Sequence, residues 1–306
     1  MSAIRALVSA EDLIALEKLE LVAGRVVEGF LSGRHESRMK GGCSEFAEHR
    51  AYGIGDEVRN LDWRVVAKSD RYYVKQFHEH SSLSTVLVLD ASGSMAYGES
   101  TPAKFLHARS AAACLSRLVL GQHDPVALAV ARENAPAFLP ARSTANHFLA
   151  ILDALVCAQP GGPNALLETL ERLVRLVRHR SQFILLTDAF VEVDALEPLL
   201  LALGTRGHQI LLLHVLAPEE FTFPFSDGTR FESLETSEEF YDVDPAAFAE
   251  MYLERMQTFI QRLRRACLRA GGDYQPLPTH QAIGATLADY LRRRTRRGSR
   301  AAMPRP

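Results

Sequence analysis

Cysteine is scarce in this chain of 306 residues: Cys43, Cys114, Cys157 and Cys267 are scattered and form no Cys-x-x-Cys pair. Reduced thiols of a cytosolic protein are the simplest account, and a disulfide framework is not expected. No apolar run approaches the roughly eighteen residues that suggest a membrane span, and the first residues lack a signal-peptide pattern, so a soluble, cytoplasmic chain is expected. A Walker A loop is absent, which excludes ATP hydrolysis by the chain itself, and no tandem repeat is visible. Net charge is also small, at −2, and argues against a nucleic-acid-binding chain as a whole. Tryptophan occurs once, as Trp63.

What is present is an alternation of short apolar strands and longer helices. Residues 86–89, 126–130, 183–186 and 210–215 read as buried strands. Residues 104–120, 145–156, 165–177, 194–203, 246–270 and 280–293 read as helices. Residues 137–139 are expected to pair with 126–130 as a hairpin, and 229–234 to hold a short strand inside an acidic, aromatic connection. Strands alternating with helices of this length imply right-handed crossovers. The predicted fold class is therefore α/β, a doubly wound, mostly parallel sheet with helices on both faces. With 47% hydrophobic residues the chain can bury a substantial core.

Ahead of that domain, Ser9-Ala10-Glu11-Asp12 has a capping-box-like pattern and opens an N-terminal helix to about residue 30. A polar segment follows, and residues 71–80 alternate as a half-exposed strand. His78 and His80 share one face of it and, with no third ligand nearby, read as a solvated edge. The expected division is residues 1–80 as helix and charged segment, 81–291 as the α/β domain, and 292–306 as a basic, disordered tail.

Residues 84–94 run from a buried-strand pattern straight into Asp90-x-Ser92-x-Ser94. One carboxylate and two hydroxyls at alternating positions can converge on one point at a strand's carboxyl end, where ligand sites of open α/β sheets lie. Oxygen-only donors suit a hard ion such as Mg²⁺ better than zinc. The same residues also fit a turn in which Ser92 and Ser94 only cap the helix that follows.

Asp-x-Ser-x-Ser after an apolar strand resembles the metal-ion-dependent adhesion site of von Willebrand factor A domains, and the resemblance spans roughly residues 80 to 290. It implies a fold of that kind and a metal held by Asp90, Ser92, Ser94 and, from the loop after Phe183-Ile184-Leu185-Leu186-Thr187, Asp188. The resemblance expects a Thr after Gly161-Gly162, where this chain has Pro163, which offers no side-chain oxygen. The implied Mg²⁺ is weakened accordingly, unless Asn164 lends its amide oxygen.

A second pattern precedes the strand: Glu45-Phe46, Arg50-x-Tyr52, Gly55-Asp56, Arg59 and Asp62-Trp63. At this spacing it looks like the bacterial domain-of-unknown-function family 58. Members of that family commonly accompany MoxR-type AAA+ ATPases, and the role implied is an adaptor or co-chaperone, without enzymatic activity, in maturing a client protein or complex. Arg50, Tyr52, Asp56, Arg59, Asp62 and Trp63 are the candidate partner-binding residues, because Trp and Arg are favoured at interaction hot spots. Mutual ion pairing among these charges, with Trp63 as a core anchor, is the alternative reading. A metal-dependent hydrolase is the competing function, with Asp188, Glu99 or His107 as its only candidate bases, none at a diagnostic spacing.

Overall fold

The architecture is described from a computed structural model, in which residues 45–53, 65, 72–78, 83–98, 103–133, 137–225, 230–232, 240–242 and 245–301 are described. The expected N-terminal helix lies outside them. Two units are distinguished, one within residues 27–82 and the other containing residues 83–306.

In the smaller unit, β1 (Glu45–Ala51) pairs antiparallel with β2 (Tyr73–His78), with a register irregularity between Phe46 and Glu48. Residues 73–78 form the strand expected there. Its partner β1 was not expected, because EFAEHRA has no clean apolar alternation.

The larger unit is built on β3 (Ser84–Asp90), which carries five apolar or β-branched residues from Thr85 to Leu89 and is buried on both faces. After it come a 3-10 turn (Gly93–Ala96), α1 (Lys104–Gly121), β4 (Val126–Ala131), β5 (Ala137–Arg142), α2 (Ala145–Cys157), α3 (Leu166–Leu176) and β6 (Ser181–Thr187). The chain continues through α4 (Val193–Thr205), β7 (Gln209–Leu216), α5 (Pro218–Thr222), the small hairpin of β8 (Arg230–Glu232) and β9 (Phe240–Asp242), α6 (Pro245–Arg269), β10 (Asp273–Pro278) and α7 (Ile283–Ala301).

Six strands form one sheet in the order β10-β7-β6-β3-β4-β5, parallel except for the β4–β5 hairpin. Alternate strand residues such as Val86, Val88, Phe183, Leu185, Ile210 and Leu212 pack with α3, α4 and α6 in one apolar cluster. Leu87, Leu89, Ile184 and Leu213 point the other way, towards the face where α1 contacts the sheet and α2 and α7 pack on α1. The fold is the doubly wound, mostly parallel α/β sheet read from the sequence. Strands β3 and β6 lie side by side although α1, β4, β5, α2 and α3 come between them in the chain, so the sheet's topological switch point falls between their carboxyl ends.

Further elements in the larger unit differ from expectation, among them α5, which forms at the start of a connection expected to be irregular. Strand β10 joins the sheet edge beside β7 although Pro276 and Pro278 interrupt it; proline lacks the N–H of a ladder donor and is tolerated at an edge. The short strand near residue 230 has a partner, β9. The basic run that begins at Arg292, expected to be disordered, continues α7 to Ala301. Buried Ile283, Leu287 and Tyr290 anchor the start of that helix, arginine is a good helix former, and cations suit a helix C-terminus. Among the described residues, no helix is long and apolar enough to cross a membrane.

Candidate functional site

The switch point gathers three loops. The β3 strand ends at Asp90, whose carboxyl group is fully buried. The chain turns back on itself there: the Ser92 amide N–H donates to Asp90 Oδ1 (2.9 Å). The second loop is stitched to the first by backbone bonds, with Gly93 N–H donating to the Gly162 carbonyl (2.9 Å) and Gly161 N–H to the Ala91 carbonyl (3.0 Å). Gly162 takes φ +75°, the left-handed region that glycine enters freely, and so lets this loop close over the first. The third loop follows β6, where Thr187 Oγ1 donates to Asp90 Oδ2 (2.5 Å) while accepting the Ala189 N–H (2.8 Å).

Asp90, Ser92, Ser94 and Asp188 therefore meet at one sheet edge. Ser92 and Ser94 bond to each other, Oγ to Oγ at 3.1 Å. Ser92 stands at the N-cap of the 3-10 turn without a side-chain capping bond, so capping is not what its hydroxyl does. Asp188 is nearly buried. Its Oδ2 accepts from Lys104 Nζ (2.7 Å) and its Oδ1 from the Phe190 N–H (3.2 Å). Lys104 Nζ also donates to Glu220 Oε1 (2.9 Å), and Glu220 Oε2 accepts the Ala217 N–H (2.7 Å) at the start of α5.

His214 on β7 sits beneath this loop. Its Nε2 lies 2.9 Å from the Asp188 carbonyl oxygen, which can only accept, so Nε2 carries the hydrogen and Nδ1 accepts from the Tyr274 hydroxyl at 2.7 Å.

The electrostatics follow from burial and neighbours. Burial, and then the charge of Asp188, raise the Asp90 pKa from 3.8 to about 6, against the hydrogen bonds from Thr187 and Ser92. Burial lowers His214 from 6.5 to about 4, so its ring is neutral at pH 7. Burial works against the Lys104 ammonium, yet Asp188 and Glu220 together outweigh it and its pKa moves up. Burial raises Glu220, outweighing Lys104.

These contacts test whether the side chains fit a divalent ion. Asn164 turns its Oδ1 to the Leu166 N–H (2.9 Å) at the start of α3 and presents its NH₂ to Asp90 Oδ2 (3.5 Å). It faces the carboxylate as a donor, and a donor repels a cation. Pro163 brings no oxygen, Asp90 Oδ2 already has two donors, and Asp188 Oδ2 already holds an ammonium. Ser92 and Ser94 are left, too few for the six-oxygen shell that Mg²⁺ demands unless water supplies most of it. The donor set does not fit a divalent ion.

At the rim, Ala189 takes φ +51°, an uncommon conformation for a residue with a Cβ, and the turn it makes presents Phe190 with 67% of its surface exposed. Sequence reasoning missed Lys104, Glu220, His214 and Phe190. The one local signal was a lone lysine opening the apolar face of α1. His107, a candidate base, is buried on α1, and Glu99 lies outside the described residues.

Of the residues assigned to partner binding, Arg50 lies in β1. Tyr52 follows β1, is partly exposed, and donates its N–H to the Tyr72 carbonyl (2.9 Å), with the two rings 6.5 Å apart. Asp56, Arg59, Asp62 and Trp63 lie outside the described residues.

Comparison with known proteins gives one family and several partly similar solved structures. Residues 48–256 match the family described as "Protein of unknown function DUF58". Uncharacterized proteins of Mycobacterium bovis and Mycobacterium tuberculosis are 30% identical over 237 residues, covering 76% of this chain and 74% of theirs. Among solved structures, the hypothetical protein BatB of Bacteroides thetaiotaomicron is 17% identical with a TM-score of 0.47, covering 70% of this chain and 99% of its own. An aerotolerance-related membrane protein of Bacteroides fragilis is 14% identical with a TM-score of 0.48, covering 69% and 99%. A von Willebrand factor type A protein of Catenulispora acidiphila is 15% identical with a TM-score of 0.41, covering 74% and 43%. These superpositions are partial, and the architecture rests on the strand order itself.

Proposed function

This chain belongs to the family of proteins of unknown function DUF58, and from that premise we propose that it is a non-enzymatic protein-interaction module that docks a partner at the strand-end edge. One observation carries the reading. Phe190, 67% exposed, projects from a turn whose base is fastened to Asp188, Thr187 and, through them, to Asp90 and Lys104. An aromatic ring held out by a rigid support gives large contact area with little further ordering on binding, which is how interface hot spots work.

The resemblance noted in the sequence gives this partner a class, a MoxR-type AAA+ ATPase. The chain acts as its adaptor or co-chaperone in the cytoplasm, presenting a client protein or complex while the ATPase supplies the energy. Free thiols at Cys157 and Cys267 accord with a reducing compartment. Hydrolysis would require a carboxylate free to take a proton from water. Asp188, the candidate base at this edge, is already engaged by donors from the chain itself.

The test is binding of the purified chain to the MoxR-type ATPase encoded in the same genome. Phe190→Ala is expected to weaken binding about tenfold or more without lowering the melting temperature. Unchanged binding by that variant removes the edge as the docking site. Metal-dependent turnover of phosphoester or peptide substrates that is lost in Asp90→Ala would replace the reading with a hydrolase.

A further inference from the structure

Lys104, Asp188 and Glu220 come from three separate elements: the first residue of α1, the loop after β6, and α5. They meet with Nζ–O distances of 2.7 and 2.9 Å. The Lys104 and Asp188 side chains are each 3% exposed. A lysine is rarely buried so deeply unless its charge is matched, and here two carboxylates match it. Its position is also fixed through the backbone, because the Lys104 N–H donates to the Tyr97 carbonyl (2.9 Å) immediately beyond the 3-10 turn that holds Ser94. The ammonium lies 5.7 Å from the centroid of the Tyr97 ring as well. The loop that carries Asp90, Ser92 and Ser94 thus delivers a cation belonging to the chain to the very carboxylate a metal would share.

Asp90 is served differently. Its charge is spread over the Ser92 amide, the Thr187 hydroxyl and the Asn164 side-chain amide. With the Phe190 N–H on Asp188 Oδ1, one ammonium and four neutral donors engage every carboxylate oxygen of Asp90 and Asp188.

We infer that Lys104 supplies this site's positive charge from within the chain, so that the strand-end edge is assembled without a divalent ion. This stands apart from the docking reading, since it concerns how the edge is held together and not what binds there. It implies that a chelator leaves the folded chain unchanged and that no metal-borne coordination position is offered to an acidic residue of a partner.

Titration calorimetry of Mg²⁺, and separately of Mn²⁺, into the chelator-treated full chain tests the inference, together with thermal melts. The wild type is expected to give no saturable heat, and millimolar ion to move its melting temperature by less than about 1 °C, since only binding to the folded state raises it. Lys104→Met removes the charge while keeping an unbranched apolar side chain, and is expected to lower the melting temperature by at least about 6 °C at pH 7, because it strands buried carboxylates. Saturable Mg²⁺ heat in the wild type that Asp90→Ala abolishes would overturn the inference. So would a Lys104→Met chain that melts with the wild type. If Lys104→Met does not fold, the wild-type isotherm decides alone.

Discussion

Thr187 is the residue on which the buried half of the site turns. Its hydroxyl donates to Asp90 Oδ2 and accepts from the Ala189 amide, so one side chain stabilises an ionised carboxylate and closes the turn that presents Phe190. Thr187→Val keeps the β-branch and removes both bonds, leaving a charge short of a donor and a buried amide without an acceptor. Hydrogen bonds to charged groups contribute about 1.5–3 kcal/mol and an unsatisfied buried amide costs about 1–3 kcal/mol, so a loss of about 2.5–6 kcal/mol in urea denaturation is expected. Combining it with Asp90→Asn should recover part of that loss, because a neutral amide needs the hydroxyl less; a strictly additive pair would show that the two side chains are not coupled. Asp90, Ser92, Ser94 and Asp188 were legible in the sequence because they lie at the end of a buried strand or within four residues of it. Lys104 was not, because the partners that give it meaning lie 84 and 116 residues further along the chain. Local pattern carries no information about pairings at that separation. Asn164 shows the reverse error: its type suggested an oxygen for a cation, and the start of α3 claims that oxygen instead.

Among the elements, the strands and helices of the sheet domain were legible from periodicity alone, since runs such as VALAVA and SQFILLT are too apolar to lie anywhere but inside a doubly covered sheet. Strand β10 was not, because prolines at alternate positions mask a strand that needs no donors on its outer edge, and β1 was hidden by its charges. Close packing between helices was equally invisible. Gly204 near the end of α4 lies so close to the end of α6 that a Cβ there would stand 2.1 Å from the Ala270 carbonyl oxygen. Propensity alone favours alanine over glycine in a helix by about 1 kcal/mol. Here the obstacle is a backbone atom that no rotamer change can move, so Gly204→Ala must push α4 and α6 apart. Overpacking of this kind costs about 1–3 kcal/mol, and the sign of the whole effect is expected to be destabilising. A melting temperature at or above the wild type would show that the helices separate freely.

For the molecule as a whole, Asp90 and His214 bend the pH dependence of stability in opposite directions. Burial and Asp188 raise Asp90 from 3.8 to about 6, so between those values the folded chain binds the proton more readily than the unfolded one. Its ionised form therefore weakens the fold at pH 7, and the weakening is relieved as pH falls through 6 towards 4. Burial depresses His214 from 6.5 to about 4. The unfolded chain then binds the proton more readily, and the stability that neutral His214 contributes above pH 6.5 is lost as pH falls towards 4. The two shifts are of similar size, and at about 1.4 kcal/mol per pH unit each amounts to roughly 3 kcal/mol over this range. In the wild type they offset one another. Asp90→Asn removes one side of the balance, so the variant is expected to exceed the wild type in stability at pH 7, by an amount of order 1–3 kcal/mol. That advantage should shrink steadily with pH and vanish near pH 4, where Asp90 of the wild type is protonated and equally uncharged. Urea denaturation of both proteins at intervals from pH 7 to pH 4 measures the difference directly, and carboxylates common to both cancel from it. A difference that stays constant across the range would mean that Asp90 titrates as an ordinary carboxylate and that the chain's donors neutralise it fully.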